Sequence, residues 1–187
     1  MRWGRKNLGG KDMISYKDAI QNAMTMLAQD PKTRFCGYGL LTGKKSNGMT
    51  NVPDAQIKEF TVAENLMMGA AQGMSMMGLK PIVHFERADF LLQALDAIVN
   101  HLDAARFITN GQFRPTAIIR VVVGNKNKPL FTGHTHTQDN SAALRNLVNF
   151  PVICVHTAAE VAAAYEYAYA NLHNLLCAIF EYKDLYA

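Results

Sequence analysis

A few side chains stand where chemistry could be done. Glu64 lies in EFTVAENLMMGAAQGMSMMGLKP (59–81), a carboxylate at the mouth of a long run of small and apolar residues. Further along, GHTHTQ carries His134 and His136 two residues apart, with Gln138 beyond them. A loop histidine can donate a hydrogen bond to a carboxylate or oxyanion and changes protonation near neutral pH. The HxH spacing also suggests a metal pair, but two ligands without a third carboxylate or cysteine nearby make an incomplete site. Each residue has a plain structural use as well: a helix-terminal Glu faces the positive end of the helix dipole, and a loop histidine can be merely solvated. Phe90, taken alone, reads as core.

The elements that must position these residues alternate in period. Ser15 and Asp18 form a capping-box-like start for a helix with apolar Ala19, Ile20, Ala23, Met26 and Leu27, ending before Asp30-Pro31. RFCGYGLL reads as a strand entering a Gly-rich loop, and GKKSNGMTNVP (43–53), rich in turn residues and without period, as a flexible loop. There follow a strand near Ile57 to Phe60, a helix from Glu64 to Met77 stopped at Gly78, a strand from Pro81 to Phe85 and a helix from Phe90 to about Arg106. Next come a strand from Thr116 to Val123, a polar loop to Asn140, a short helix from Ser141, a strand from Val152 to His156, a helix from Ala158 to Ala170 and a strand from Leu176 to Glu181. AIIRVVV and LLCAIF are nearly continuous in apolar residues, as in strands buried on both faces, so the pattern implies an α/β fold with a mostly parallel sheet and helices on both sides. Ligands of such sheets bind beyond the carboxyl ends of the strands. The loops after Phe60, after Phe85 and after Val123 are therefore the places to look, and they hold Glu64, Phe90 and the histidines. In the second helix Gly69, Ala70, Ala71, Gly73 and Ser75 are too small to fill a core, and suit close packing within the fold or across a subunit contact.

Composition narrows the class. The 187 residues are 49% hydrophobic, enough for one core-forming domain. A net charge of +4, with no basic run beyond the N-terminal MRWGRKNLGGK, argues against nucleic acid as a partner. Cys36, Cys154 and Cys177 are odd in number, far apart and set in apolar company, as buried thiols of a reducing compartment are. No stretch reaches the ~18 apolar residues of a membrane helix, and the basic N-terminus lacks the apolar core of a signal peptide, so the expectation is a soluble cytoplasmic protein. His84, His101, His156 and His173 sit in or beside elements and receive structural readings.

The ordered series TVAENLMMGAAQGMSMMGLKPIVHF, ADFLLQALDAIVNHLDAARF, NGQFRPTAIIR and GHTHTQ resembles the pyrimidine-binding domain of thiamine-diphosphate enzymes of the transketolase group. It is most similar to the beta subunit of the first component of 2-oxo acid dehydrogenases. The resemblance covers residues 13 to 187, leaving 1–12 as an N-terminal arm. It implies that Glu64 hydrogen-bonds the ring nitrogen of the cofactor's aminopyrimidine, favouring the imino tautomer that takes the proton from the thiazolium carbon. It further implies that Phe90 stacks on the pyrimidine, and that His136 contacts substrate or acyl intermediates, with His134 and Gln138 as further substrate contacts. The diphosphate and its magnesium are not held by this domain in the family, and no GDG-type motif occurs here, so a separate diphosphate-binding, alpha-type subunit is implied. A homo- or hetero-oligomer and a lipoyl-bearing acyltransferase are the other partners the resemblance suggests.

Two departures stand out. After the first strand the family has Gly followed by acidic residues, whereas this chain has Gly37-Tyr38-Gly39-Leu40, so a second acidic contact is expected to be missing. The sequence stops at KDLYA, where the family's beta subunit continues into a carboxyl-terminal domain. Two other function classes stay open: half of a split transketolase-like or deoxyxylulose-synthase-like carbon–carbon ligase, and a non-catalytic relic that binds a partner.

Overall fold

A computed structural model describes residues 14–129, 133–172 and 176–186. The N-terminal arm and His173 lie outside the described residues.

Six strands form one all-parallel sheet in the order β2-β1-β3-β4-β6-β5. They are β1 (Thr33–Gly37), β2 (Ile57–Glu59), β3 (Lys80–Phe85), β4 (Ala117–Val123), β5 (Val152–Val155) and β6 (Leu176–Tyr182). The expected mostly parallel sheet is thus parallel throughout. Every residue of β4 is buried, as a central strand covered on both faces requires.

Helix α1 (Tyr16–Leu27) starts where its capping signal lies: the Ser15 hydroxyl accepts from the Asp18 N–H at 3.1 Å. With α5 (Ala158–Asn171), which follows the short α4 (Ser141–Leu147) and β5, it covers one face, burying Ile20, Met24, Leu27 and Tyr165 against Phe35, Ile82 and Ile118. Helix α2 (Glu64–Met76) and the segment after β3 cover the other, where Met67, Met68, Leu91 and Ile98 meet Val83, Ile119, Val121 and Phe180. Gly78, at φ +75°, ends α2 in a conformation other residues resist, while the N–H groups of Gly78 and Leu79 close back on Ser75 and Met74.

The structure corrects two expectations. The helix foreseen from Phe90 to Arg106 is a 3₁₀ helix (Ala88–Ala94), a π-helix (Ala97–Asp103) and a short α3 (Ala104–Ile108). Ala88, Leu91 and Ala94 are all buried at strict three-residue spacing, which a 3₁₀ helix stacks on one side and an α-helix would spread around its surface. The segment 43–53, read as flexible, is packed: Met49 and Val52 are buried, and the Asn47 carbonyl accepts from Arg120 Nη1 at 2.8 Å.

That last bond belongs to a polar cluster inside the core. Arg120 on β4 and Glu181 on β6, both fully buried, form a bidentate pair with distances of 2.9 and 2.8 Å. The Tyr165 and Tyr186 hydroxyls each donate to Glu181 at 2.5 Å. Two buried charges are tolerable because the Glu181 carboxylate accepts four hydrogen bonds and Arg120 donates through all three of its nitrogens.

Candidate active site

Strand order reverses between β1 and β3, so the loops leaving β1, β2, β3 and β4 converge at one end of the sheet. There a cavity of about 250 Å³ opens, with Tyr38, Val62, Glu64, Met67, His84, Phe85, Glu86, Arg87, Phe90 and His136 in its wall.

Glu64, half-buried, is the first residue of α2; the preceding Ala63 offers no capping side chain. Phe90 stands in the first turn of the 3₁₀ helix, which the Phe90 N–H to Arg87 carbonyl bond of 3.1 Å helps to start. His136 ends a 3₁₀ turn (Gly133–His136), and its ring meets Phe90 edge-on, centroids 5.1 Å apart at 89°. Two bonds tie the exit of that turn to the Phe90 helix: Gln138 N–H to Asp89 Oδ1 at 3.4 Å, and Asn140 Nδ2 to the Ala88 carbonyl at 3.2 Å. Gly124, just past β4, permits the approach. A Cβ there would lie 1.8 Å from the His136 carbonyl oxygen, so only glycine lets the turn rest against the strand end.

Of the residues singled out in the sequence, Glu64, Phe90 and His136 come together around the cavity. His134 and Gln138 are exposed and outside its wall. Tyr38, 55% exposed, lines the mouth. The acid expected to be missing after the first strand is absent there, while Glu86, just past β3, brings a second carboxylate into the wall from another strand end. Glu59, at the end of β2, accepts from the N–H groups of Gly39, Leu40 and Leu41 and so fixes the loop that carries Tyr38.

Sequence reasoning passed over Glu86, Arg87 and His84. The first two directly follow an apolar strand in a loop already flagged, and that charged pair was the available signal. His84 was given a structural reading, yet it lines the cavity; both its ring nitrogens are buried without a hydrogen-bond partner. Burial first, then the charges of Arg120, Lys183 and Arg87, hold it well below the usual histidine range and hence neutral. A larger cavity of about 360 Å³ lies at the amino ends of β4, β5 and β6, beside Asp103, Arg106 and Phe150. It gathers none of the residues singled out in the sequence and sits at the end of the sheet opposite the crevice.

The sequence profile of the transketolase pyrimidine binding domain matches residues 12–187. The chain belongs to this family. Among curated relatives of this pyrimidine-binding domain, the 2-oxoisovalerate dehydrogenase subunit beta of Pseudomonas aeruginosa is 31% identical over 107 residues, 57% of this chain and 27% of that protein. The pyruvate dehydrogenase E1 component subunit beta of Rickettsia bellii is 28% identical over 158 residues, 79% of this chain and 46% of that one. The domain therefore spans less than half the length of these relatives. Among solved structures, a split-gene transketolase described as an inactive beta4 tetramer superimposes with a TM-score of 0.68 at 20% identity, over 91% of this chain and 52% of the other. The transketolase of Campylobacter jejuni gives the same score at 14% identity, over 90% of this chain and 25% of its own. These two likenesses speak to the fold.

Thiamine diphosphate is the cofactor the family implies, and the wall suits its pyrimidine. A carboxylate, an aromatic ring and apolar Val62, Met67 and Phe85 can take a flat heterocycle with one basic nitrogen, and His84 offers two further buried nitrogens in need of partners.

Proposed function

We propose that this chain is the pyrimidine-binding part of a thiamine-diphosphate-dependent enzyme of the 2-oxo acid dehydrogenase type, working with a separate diphosphate-binding subunit. The observation that carries the reading is the convergence of Glu64, Phe90 and His136, from three different strand ends, on one cavity.

The cofactor, when bound, supplies a carbon nucleophile and an electron sink for decarboxylation. Glu64 shares a proton with the pyrimidine ring nitrogen; a carboxyl group suits this because it can hold the proton on either side of a short hydrogen bond in a partly dry cavity. Phe90 presents a flat apolar surface to the ring, and Met67 and Val62 exclude water around it. His136, kept in place by Phe90 and the Gly124 contact, donates to the carboxylate or oxyanion of the substrate. His134 and Gln138, exposed on the same turn and its exit, are second-rank substrate contacts that a partner or substrate would have to cover. Magnesium and the diphosphate fall to the alpha-type subunit, and a lipoyl-bearing acyltransferase is the acceptor of the acyl group.

Assembly has its own surface. Ala71 is buried in the core and Ser75 bonds Thr116, but a Cβ at Gly69 or Gly73 would meet nothing within 4 Å, and Leu66, Met76 and Met77 are exposed beside them, so the face of α2 that carries the two glycines is not used in this chain's own packing. That face is the proposed subunit contact.

The test is co-expression with a diphosphate-binding, alpha-type subunit. The expected result is a stable complex holding stoichiometric thiamine diphosphate, with weak retention by either chain alone. Tight magnesium-dependent binding by this chain in isolation would contradict the division of labour.

A further inference from the structure

Arg87 directly follows β3, and its side chain is 8% exposed. Among the described residues its hydrogen bonding goes to its own neighbour, Nη1 donating to the Glu86 carbonyl. The Glu86 carboxylate stands 4.0 Å from Nη1, beyond hydrogen-bond reach, and is itself 39% exposed. A guanidinium cannot shed its proton, and burying a permanent charge without a close counter-ion is costly. The two buried arginines of this sheet end differ in this respect: Arg120 is answered by Glu181 in a bidentate pair, and Arg87 has no such answer. Its charge is felt nearby. Lys183 is lowered to about 8, by burial first and then by Arg87 and Arg120, and Arg87 also helps to keep His84 neutral. Besides Glu86, the wall holds one further carboxylate, the half-buried Glu64, which the function proposed above assigns to the pyrimidine; Val62, Met67, Phe85 and Phe90 bring no charge.

We propose that Arg87 is the anion anchor of the cavity, its planar fork taking an oxyanion, carboxylate or phosphate, carried by the substrate. A guanidinium fits both groups in a bidentate manner. The placement of substrate rests on the function proposed above: the turn bearing His136 packs on Gly124, and the Arg87 stem lies against that same glycine, its Cδ 3.4 Å from where a Cβ would be. Anchor and histidine therefore face the same small volume. An acidic side chain of a partner would have to enter the cavity to reach a group so little exposed.

The test uses the full chain and three small probes. Pyruvate and inorganic phosphate are titrated at constant ionic strength while the Nε–Hε cross-peak of Arg87 is followed by NMR; 4-amino-5-hydroxymethyl-2-methylpyrimidine is titrated separately, against wild type and Glu64→Gln. At least one anion should shift the Arg87 peak saturably. Relaxation of the pyruvate methyl group, or the phosphorus line width of phosphate, should report binding at least ~10-fold weaker in Arg87→Gln and partly restored in Arg87→Lys, which keeps the charge without the fork. Response to pyruvate alone identifies a carboxylic substrate, and response to phosphate alone a phosphorylated one. No saturable shift with either anion, or binding undiminished in Arg87→Gln, overturns the anchor, and does so independently of the function if the aminopyrimidine still binds through Glu64. Arg87-dependent anion capture with no aminopyrimidine binding in the chain alone, and no thiamine diphosphate retained in the complex with the diphosphate-binding subunit, would support the anchor and remove the function proposed above.

Discussion

Replacing Gly124 by alanine tests whether the position of His136 matters. The new Cβ would sit 1.8 Å from the His136 carbonyl oxygen and 2.9 Å from its carbon, where real Cβ contacts do not fall below 3.0 Å. The obstacle is backbone, so the turn at 133–136 must retreat by more than ~1 Å; a displacement of that size from productive geometry commonly costs ~10²-fold in rate. The cost to folding should be smaller, about 1 to 3 kcal/mol for overpacking, because residues of the turn are exposed or half-buried and have room to move outward. Two readings check this. In the isolated chain, the nuclear Overhauser contacts between the His136 and Phe90 rings, 5.1 Å apart at their centroids, should weaken in Gly124→Ala. In the assembled enzyme, steps that use His136 should slow while aminopyrimidine binding through Glu64 persists. Unchanged ring contacts together with wild-type turnover would refute the argument that Gly124 sets the histidine.

Other perturbations separate site, assembly and core. Gly69→Leu has open space around it and a better helix former in place, so the isolated chain should melt no lower than wild type while association measured by sedimentation weakens; unaltered association removes α2 as the contact. Arg120→Leu leaves the Glu181 carboxylate buried without its cation and should cost ~3 to 5 kcal/mol in denaturant unfolding, much of it recovered in the Arg120→Leu/Glu181→Leu double variant. The Lys80 ammonium, 2.7 Å away, holds the Asp30 carboxyl below its usual range; with the folded pKa depressed, that stability is present above the unfolded value and disappears as pH falls through the folded one. Asp30→Asn should therefore flatten the acid limb of the stability profile, and an unchanged limb would show the pair to be unimportant.

Much of the architecture was legible in the sequence because the signals were local. The Ser15 cap, Gly78 after α2 and the apolar runs of β4 and β6 each act within a few residues, and strand-to-loop order alone placed Glu64, Phe90 and His136 at one end of the sheet. What stayed hidden depends on contacts across the chain. The segment 43–53 has no period of its own, and its order comes from Arg120, more than seventy residues away. Residues 88–94 carry a three-residue repeat that an eye set for helical spacing reads as α. The significance of Arg87 lies in its burial with only a distant, partly exposed counter-ion, Glu86 at 4.0 Å, a property of the assembled wall that sequence pattern does not express.

In the proposed function, Glu64 acts on the pyrimidine so that the cofactor's thiazolium carbon can lose its proton. Exchange of that proton against deuterium in the complex with the diphosphate-binding subunit, quenched in acid and read by NMR, measures this step directly. Glu64→Gln should slow exchange by ~10²-fold or more with cofactor still bound, while His136→Ala should leave exchange nearly intact. Exchange in Glu64→Gln as fast as wild type would reduce the carboxylate to a charge at a helix terminus, and slow exchange in His136→Ala alone would mean the two roles are reversed.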